Sequence, residues 1–499
     1  MTDWNPNRWR ALPIILIAPF MSLFDVFVVN VAAPSISTDL HASAAMLELI
    51  VAGYSFTYAA GLVTGGRLGD RIGRRQLFIV GMALFTIASA WCGIAPTGGW
   101  LVAGRLVQGA GAAAMVPQVL ALITVSFPPE ERAKAFSLFG VTIGVGSVAG
   151  QVLGGVLLDL NIAGLGWRPI FLVNVPIGIA AIIGARKFLG ESRSAHPEKL
   201  DPIGLATLTA GLGLILVPLV LGRDEGWPLW TFLALAGGAV AIGVFATWEA
   251  RLAHAGGNPI VPPAILRSRQ VMAGLGANLG FFVFFGSFLL AFTVFLQDGQ
   301  HRSPLDAGLT FAPLGVAFAL SSLAARRLVA VYGPPVLTIG VAISFLAVGG
   351  LTLLIGAHGA DVPAPELIPL LTLVGVGNGL ALPSLVAAVL ATAPPDSSGA
   401  ISGVLTTTQQ FSSALGVAAI GAVFFAKSAT SGPAAGLHAA MVLDLVALAV
   451  AAVGTLFLPR KPAGATVVPI PAVAPAASPA GQIVPEPAGS PARVVRSGA

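Results

Sequence analysis

Charge is scarce in this chain. Asp, Glu, Lys and Arg together make up 9% of its 499 residues, against roughly 25% in an ordinary soluble domain. A soluble core of this size needs a far more polar surface, so the apolar excess has to face lipid. Cysteine is almost absent: Cys92 has no partner for an internal disulfide. With no metal-ligand spacing around it, it is expected simply to pack in a helix. No metal-spaced His/Cys set, phosphate loop or nucleophile elbow occurs, which excludes the common enzyme and metal signatures. The net charge of +5 sits in short basic clusters without interleaved aromatics, so nucleic acid is excluded as a partner.

What is abundant is apolar sequence and glycine, 61 residues of it, which suits helices that approach closely in a bilayer. Apolar runs near 12–33, 46–66, 76–95, 99–124, 134–158, 168–189, 202–221 and 229–250 predict eight transmembrane spans. Runs near 270–296, 305–325, 333–355, 365–392, 399–427 and 437–458 predict six more. Each is long enough to cross about 30 Å of hydrocarbon at about 1.5 Å per residue. Arg8 and Arg10 before the first run resemble the start of a signal peptide. That run is long, carries Asp25 and lacks a clear small-residue cleavage site, so it is expected to remain as the first span. Placing residues 1–11 inside puts 21 of the 26 basic residues in cytoplasmic segments. Only Arg168, Arg223, Arg302 and Lys427 fall outside, and Arg105 lies within a span. This asymmetry predicts cytoplasmic termini. The Pro/Ala-rich stretch 459–499 has no helical pattern and is expected to be a disordered tail.

An internal repeat is visible. Gly109, Gly111, Pro117, Pro128 and Pro129 recur as Gly375, Gly377, Pro383, Pro394 and Pro395, all at one offset of 266 residues. Two parallel halves, 12–189 and 270–458, with a two-helix insertion at 202–250, are the expected organisation.

Three segments carry candidate chemistry. Residues 65–75 read GGRLGDRIGRR, with Asp70 the lone acid among Arg67, Arg71, Arg74 and Arg75. Gly66, Gly69 and Gly73 there allow a tight turn and close helix approach. Arg105 is the only basic residue deep in a span. A central Arg costs about 2.5–3.5 kcal/mol to insert, so it must face a polar cavity or pair with a carboxylate or carbonyl. Asp25 lies mid-span among apolar residues. It is either an acid satisfied by a polar neighbour or a group that exchanges protons. In the fifth span Gly146, Gly150 and Gly154 fall four apart on one helix face, with Gly155 beside them, and predict close helix packing.

The run Gly66-x-Leu68-Gly69-Asp70-Arg71-x-Gly73-Arg74-Arg75 resembles the signature loop of the major facilitator superfamily. Arg105-x-x-Gln108-Gly109 resembles that family's second motif. Asp25 with Asn30, Ala32 and Pro34 resembles the first-span motif of drug/proton antiporters, with Phe27 where a Thr is common. Residues 146–155 resemble the exporters' antiporter motif, with Gln151 in place of the usual Pro. Trp167-Arg168 through Gly178, the two extra spans and Asn258-Pro259 through Arg269 resemble the fourteen-helix branch.

The resemblance implies an all-α membrane protein of two six-helix bundles plus two inserted helices. It implies a monomeric proton-coupled exporter of hydrophobic or cationic compounds. No cofactor is expected, the proton gradient supplying the energy. One charge crossing about 100 mV yields about 2.3 kcal/mol, enough for tens-fold accumulation. In the family, Asp70 and its neighbours Gly66, Arg71, Gly73 and Arg74 form a latch on the start of a helix in the other half, here near Ser398. Arg105 is implied in proton transfer, with Asp25 alternating between a proton and substrate. Gln108, Gln151, Asn278, Asn378, Gln409, Gln410 and Asp444 are further candidates for lining the cavity or bridging helices. An exporter dedicated to one metabolite or antibiotic, proton-linked uptake, and a non-transporting sensor or scaffold are the other readings.

Overall fold

A computed structural model describes residues 6–194, 199–263, 268–333, 335–391 and 398–458. The stretch 459–499 and Pro394-Pro395 lie outside the described residues. Among the described residues fourteen helices are long and apolar enough to cross a membrane, one for each run read from the sequence. The first half comprises α1 (Arg8–Leu40), α2 (Ala44–Ile72), α3 (Arg74–Gly93), α4 (Gly98–Ser126), α5 (Pro129–Asp159) and α6 (Pro169–Phe188). The insertion is α7 (Pro202–Asp224) and α8 (Leu229–His254). The second half comprises α9 (Arg269–Gly299), α10 (Pro304–Tyr332), α11 (Pro335–His358), α12 (Ala364–Ala391), α13 (Ser398–Ser431) and α14 (Pro433–Leu456). Lipid offers backbone groups no hydrogen bonds, so each span satisfies its own ladder as a helix. The ends are marked by local chemistry. Ser43, Thr97, Asp201 and Ser303 cap the first amides of α2, α4, α7 and α10. Pro129, Pro202, Pro304 and Pro433 open α5, α7, α10 and α14, where the missing N–H has no partner to lose.

Glycine sets the helix spacing. A methyl added at Gly111 would lie 2.6 Å from the Phe85 amide of α3, and one at Gly377 would lie 2.6 Å from the Gly340 carbonyl of α11. The repeated glycines thus perform the same task in each half: α4 packs on α2 and α3, and α12 packs on α10 and α11. At Gly65 an added Cβ would stand 2.1 Å from the Ala113 carbonyl oxygen. Gly65→Ala is expected to cost about 1–3 kcal/mol, read as a lower melting temperature in detergent. Gly99→Ala, with nothing within 4 Å, should leave it unchanged.

The halves meet along two seams, α2 with α13 and α5 with α10. Call the face carrying Arg8 and Asp70 the terminal face, and the opposite one the far face. Toward the terminal face, a methyl at Gly403 would lie 3.1 Å from Val63, and Thr407 donates to the Ala59 carbonyl at 3.4 Å. Toward the far face, Gln297 donates to the Val31 carbonyl at 2.7 Å, and Gly155 lies against Pro304. α7 lies across the α2–α13 seam, and α8 packs on α7. α8 presents Leu229, Leu233 and Val240 outward, a lipid-facing surface.

Candidate functional site

The Asp25 carboxylate, fully buried in α1, faces the guanidinium of Arg105 in α4, which is 1% exposed. Arg105 reaches it through Nη1, which also donates to Gln108 Oε1 at 2.8 Å. Gln108 Nε2 returns to Asp25 Oδ1 at 2.7 Å, closing a three-membered ring of polar groups. Arg105 Nε donates to the Ile50 carbonyl of α2 at 3.0 Å, and its guanidinium lies 4.5 Å from the centre of the Tyr54 ring. Ser89 of α3 accepts from Gln108 at 3.2 Å and from Asn174 of α6 at 3.0 Å, and donates to the Phe171 carbonyl. Five helices thus fix one ion pair. The intramembrane arginine is tolerated because a carboxylate, a carbonyl, an amide and a ring all face it. Ser89 and Asn174 were not candidates from sequence. Asn174 lies in the Trp167-Arg168 through Gly178 run that resembles the fourteen-helix branch, whereas the signal of Ser89 was a lone Ser within an apolar span, which also describes ordinary packing residues.

Beside this cluster, between the halves, lies a cavity of about 20 Å³ lined by Val26, Asn30, Val51, Ser55 and Arg105 of the first half. Phe285, Gly286, Leu289, Ser413 and Val417 of the second half complete it. Ligand sites span about 300–1,000 Å³, so this cavity is too small for a substrate until the seams open. Its wall is apolar, with one cation, one amide and two hydroxyls. Asp25 and Gln108 sit behind Arg105 and are not part of that wall.

The structure places the other candidates away from the cavity wall. Asn278 donates to the Leu405 carbonyl and accepts from Gln409 at 3.2 Å, bridging α9 and α13. Gln410 sits by the Tyr58 hydroxyl. Asn378 accepts from Ser344 at 2.8 Å, between α12 and α11. Asp444, which has no obvious partner in the sequence, accepts from Ser287 of α9 at 2.5 Å while its other oxygen has no partner. Gln151 is buried with neither amide atom paired. Gly146, Gly150 and Gly154 face α1, where methyls at Gly150 and Gly154 would come within 2.6 Å of Phe27 and 2.8 Å of Val28. Gly155 instead faces α10. Phe281, Phe284 and Phe288 of α9 are buried, and Phe285 between them lines the cavity.

The loop between α2 and α3 turns at Gly73, φ 119°, a conformation open to glycine. A methyl at Gly69 would clash with Gln118 of α4, at 2.0 Å, whereas Gly66 has room. Asp70 accepts from Arg74 at 2.7 Å, and its carbonyl accepts from the Ser194 amide. Arg75 donates to the Leu189 carbonyl, and Arg71 is exposed. Arg67 donates to the carbonyls of Asn258 and Pro259 at 2.9 and 2.6 Å, where the insertion leads into the second half. The expected contact near Ser398 falls on side chains outside the described residues.

The family model described as Major Facilitator Superfamily matches residues 15–417. This chain belongs to the major facilitator superfamily. It is 40% identical over 421 residues to a probable actinorhodin transporter of Streptomyces coelicolor, covering 84% of this chain and 73% of that one. It is 29% identical over 418 residues to the tetracenomycin C resistance and export protein of Streptomyces glaucescens, covering 83% and 75%. A crystal structure of a bacterial homolog to the human lysosomal transporter Spinster, inward-facing and occupied, matches at TM-score 0.66 and 18% identity. It covers 90% of this chain and 96% of that one. The chain is a multi-pass membrane transporter and not an enzyme.

Proposed function

We propose that this superfamily member is a proton-coupled antiporter that exports small hydrophobic compounds, with both termini cytoplasmic and the far face external. The observation that carries the reading is the Asp25–Arg105–Gln108 ring beside an inter-half cavity. A proton on Asp25 cancels the charge that holds Arg105. The freed guanidinium then turns its charge toward the cavity it already lines, and ion-pair state and cavity electrostatics change together. Cytoplasmic termini rest on the basic-residue asymmetry. Each half moves as a bundle about the cavity, the terminal-face and far-face ends of the seams opening alternately.

A second reading, an exporter dedicated to one antibiotic, is supported by the wall itself. Arg105 is its only charge, which favours neutral or acidic cargo over the cations expected from sequence. The relatives named for actinorhodin and tetracenomycin C agree with it. Expression in a susceptible host tests both. Resistance to tetracenomycin C together with several cationic dyes supports a broad exporter, and resistance to one compound supports a dedicated one. No change for any compound, at verified expression, contradicts export.

A further inference from the structure

Among the buried acids that the proton pathway proposed above leaves unused, Asp444 is held by Ser287 and Glu48 is not. Glu48 of α2 is 0% exposed, and neither carboxyl oxygen has a hydrogen-bond partner. Buried polar groups are nearly always paired, and a leucine would fill this position at no such cost. Its surroundings are specific. α13 presents Gly421 to it, where an added methyl would lie 3.4 Å from Glu48 Oε1. The charged groups acting on it are Arg223 and Asp224 of α7. These two pair with each other at 2.7 Å, and Arg223 also donates to the Ala422 carbonyl of α13. α4 contributes Arg105, held two residues further along α2 at the Ile50 carbonyl.

Glu48 lies between two spaces. One turn outward, Ala44, Arg223, Asp224, Phe425 and Ser428 line an open vestibule of about 500 Å³ on the far face. Inward, Val51 and Ser55 line the central cavity. Positions 44, 48, 51 and 55 share one face of α2, at i, i+4, i+7 and i+11. On α13 the opposing stripe is Ser413, Val417, Gly421, Phe425 and Ser428, again one face. The two stripes mark a line from the vestibule to the cavity, with Glu48 the only ionisable side chain along it on either stripe.

We propose that Glu48 is the proton-loading station of the far face. Resting on the antiport reading above, it takes a proton from vestibule water and delivers it along the α2–α13 seam to Asp25. In loading, an O–H bond of hydronium breaks and one forms on the Glu48 carboxylate. In delivery, that bond breaks and the proton passes to the Asp25 carboxylate, releasing Arg105. Glu48 and Ser55 are about 10 Å apart along the helix at 1.5 Å per residue, so delivery coincides with opening of the seam. Arg223 and α7 cap the mouth, which gives the insertion a role in admitting protons.

The test needs no substrate. The full chain, reconstituted in vesicles with the far face outward, is followed by infrared difference spectroscopy as the outside pH is stepped down. Among the protonated-carboxyl bands of the wild-type protein, one should be absent in Glu48→Gln and another absent in Asp25→Asn. In Glu48→Gln the Asp25 band should rise at least about 100-fold more slowly, the low end for loss of a positioned proton-transfer group. Glu48→Asp, which keeps the carboxyl, should recover most of the rate and shows that a slow Glu48→Gln is not a folding defect. An Asp25 band rising at the wild-type rate in Glu48→Gln overturns the proposal, as does a Glu48 band that answers only to inside pH. If both bands behave as expected while vesicle transport ignores the proton gradient, the loading station stands and the antiport reading falls.

Discussion

Asp25→Asn is expected to abolish gradient-driven transport while leaving the protein folded. Asparagine still offers an oxygen to Arg105, so the ring of contacts is largely kept. It cannot take a proton, and its amide now faces Gln108 Nε2, which donates to Asp25 Oδ1 in the native chain. The loss should be about 100-fold or more in rate, the range for removing a positioned proton-transfer group. Arg105→Ala is expected to be worse for the protein. It leaves Asp25 as an uncompensated buried charge, and breaking a buried pair costs about 3–5 kcal/mol. The two variants therefore separate mechanism from stability: the first loses transport at a near-native melting temperature, the second loses both. Transport by Asp25→Asn at the wild-type rate and with the wild-type pH dependence would remove Asp25 from the mechanism.

Gly155→Val is expected to bias the transporter toward the far-face-open state. A Cβ at Gly155 would lie 2.7 Å from the Pro304 carbonyl oxygen and 2.8 Å from Leu305 Cα, both backbone atoms that cannot yield. The overlap exists only while the far ends of α5 and α10 are together. A penalty of about 1–3 kcal/mol on one of two states shifts their balance by about 5- to 150-fold. Gly150→Val is the control: its overlap is with Phe24 and Phe27 of α1 in the same half, so it lowers stability without choosing a state. A cysteine at Ser413, on the cavity wall, reports the difference. A membrane-impermeant thiol reagent added at the far face should label Ser413→Cys faster in the Gly155→Val background and not in the Gly150→Val background. Cys92, buried against Gly104 in the α3–α4 contact, supplies little background. Equal labelling in all three would show that this seam is not the far gate.

Much of the architecture was legible because lipid makes the rule simple. A span needs enough apolar residues and an internally satisfied backbone, and all fourteen runs became helices. The glycine repeat was legible for a related reason, since helices that approach closely leave no room for a Cβ. The partners of polar side chains were much less so. Asp25 and Arg105 are 80 residues apart, and nothing local in the chain says that they touch. Asn378 and Arg105 both read as polar groups inside a span, yet one is tied between two helices of its own half and the other reaches the cavity. Which face of a helix meets water, a neighbour or the other half is a property of the packed bundle. The loop at 66–75 shows the same limit. Its turn follows from Gly73, but the docking of Arg67 on Asn258 and Pro259, some 190 residues away, needs the fold.

Seen as a machine, the arrangement has its charge chemistry in one half and a mostly apolar wall in the other. The first half holds the ion pair, while the second contributes Phe285, Leu289 and Val417, with Ser413 as a polar exception. A proton on Asp25 in the proposed mechanism changes one wall of the cavity and not the other.

In the proposed mechanism cargo moves because protons move the other way through the Asp25–Arg105 pair. The most direct measurement counts both in the same proteoliposomes, with a trapped pH dye for protons and tetracenomycin C as cargo. Cargo accumulation matched by an opposite proton flux, both stopped when an ionophore collapses the gradient, is the expected result. Accumulation that continues undiminished with the gradient gone would contradict it.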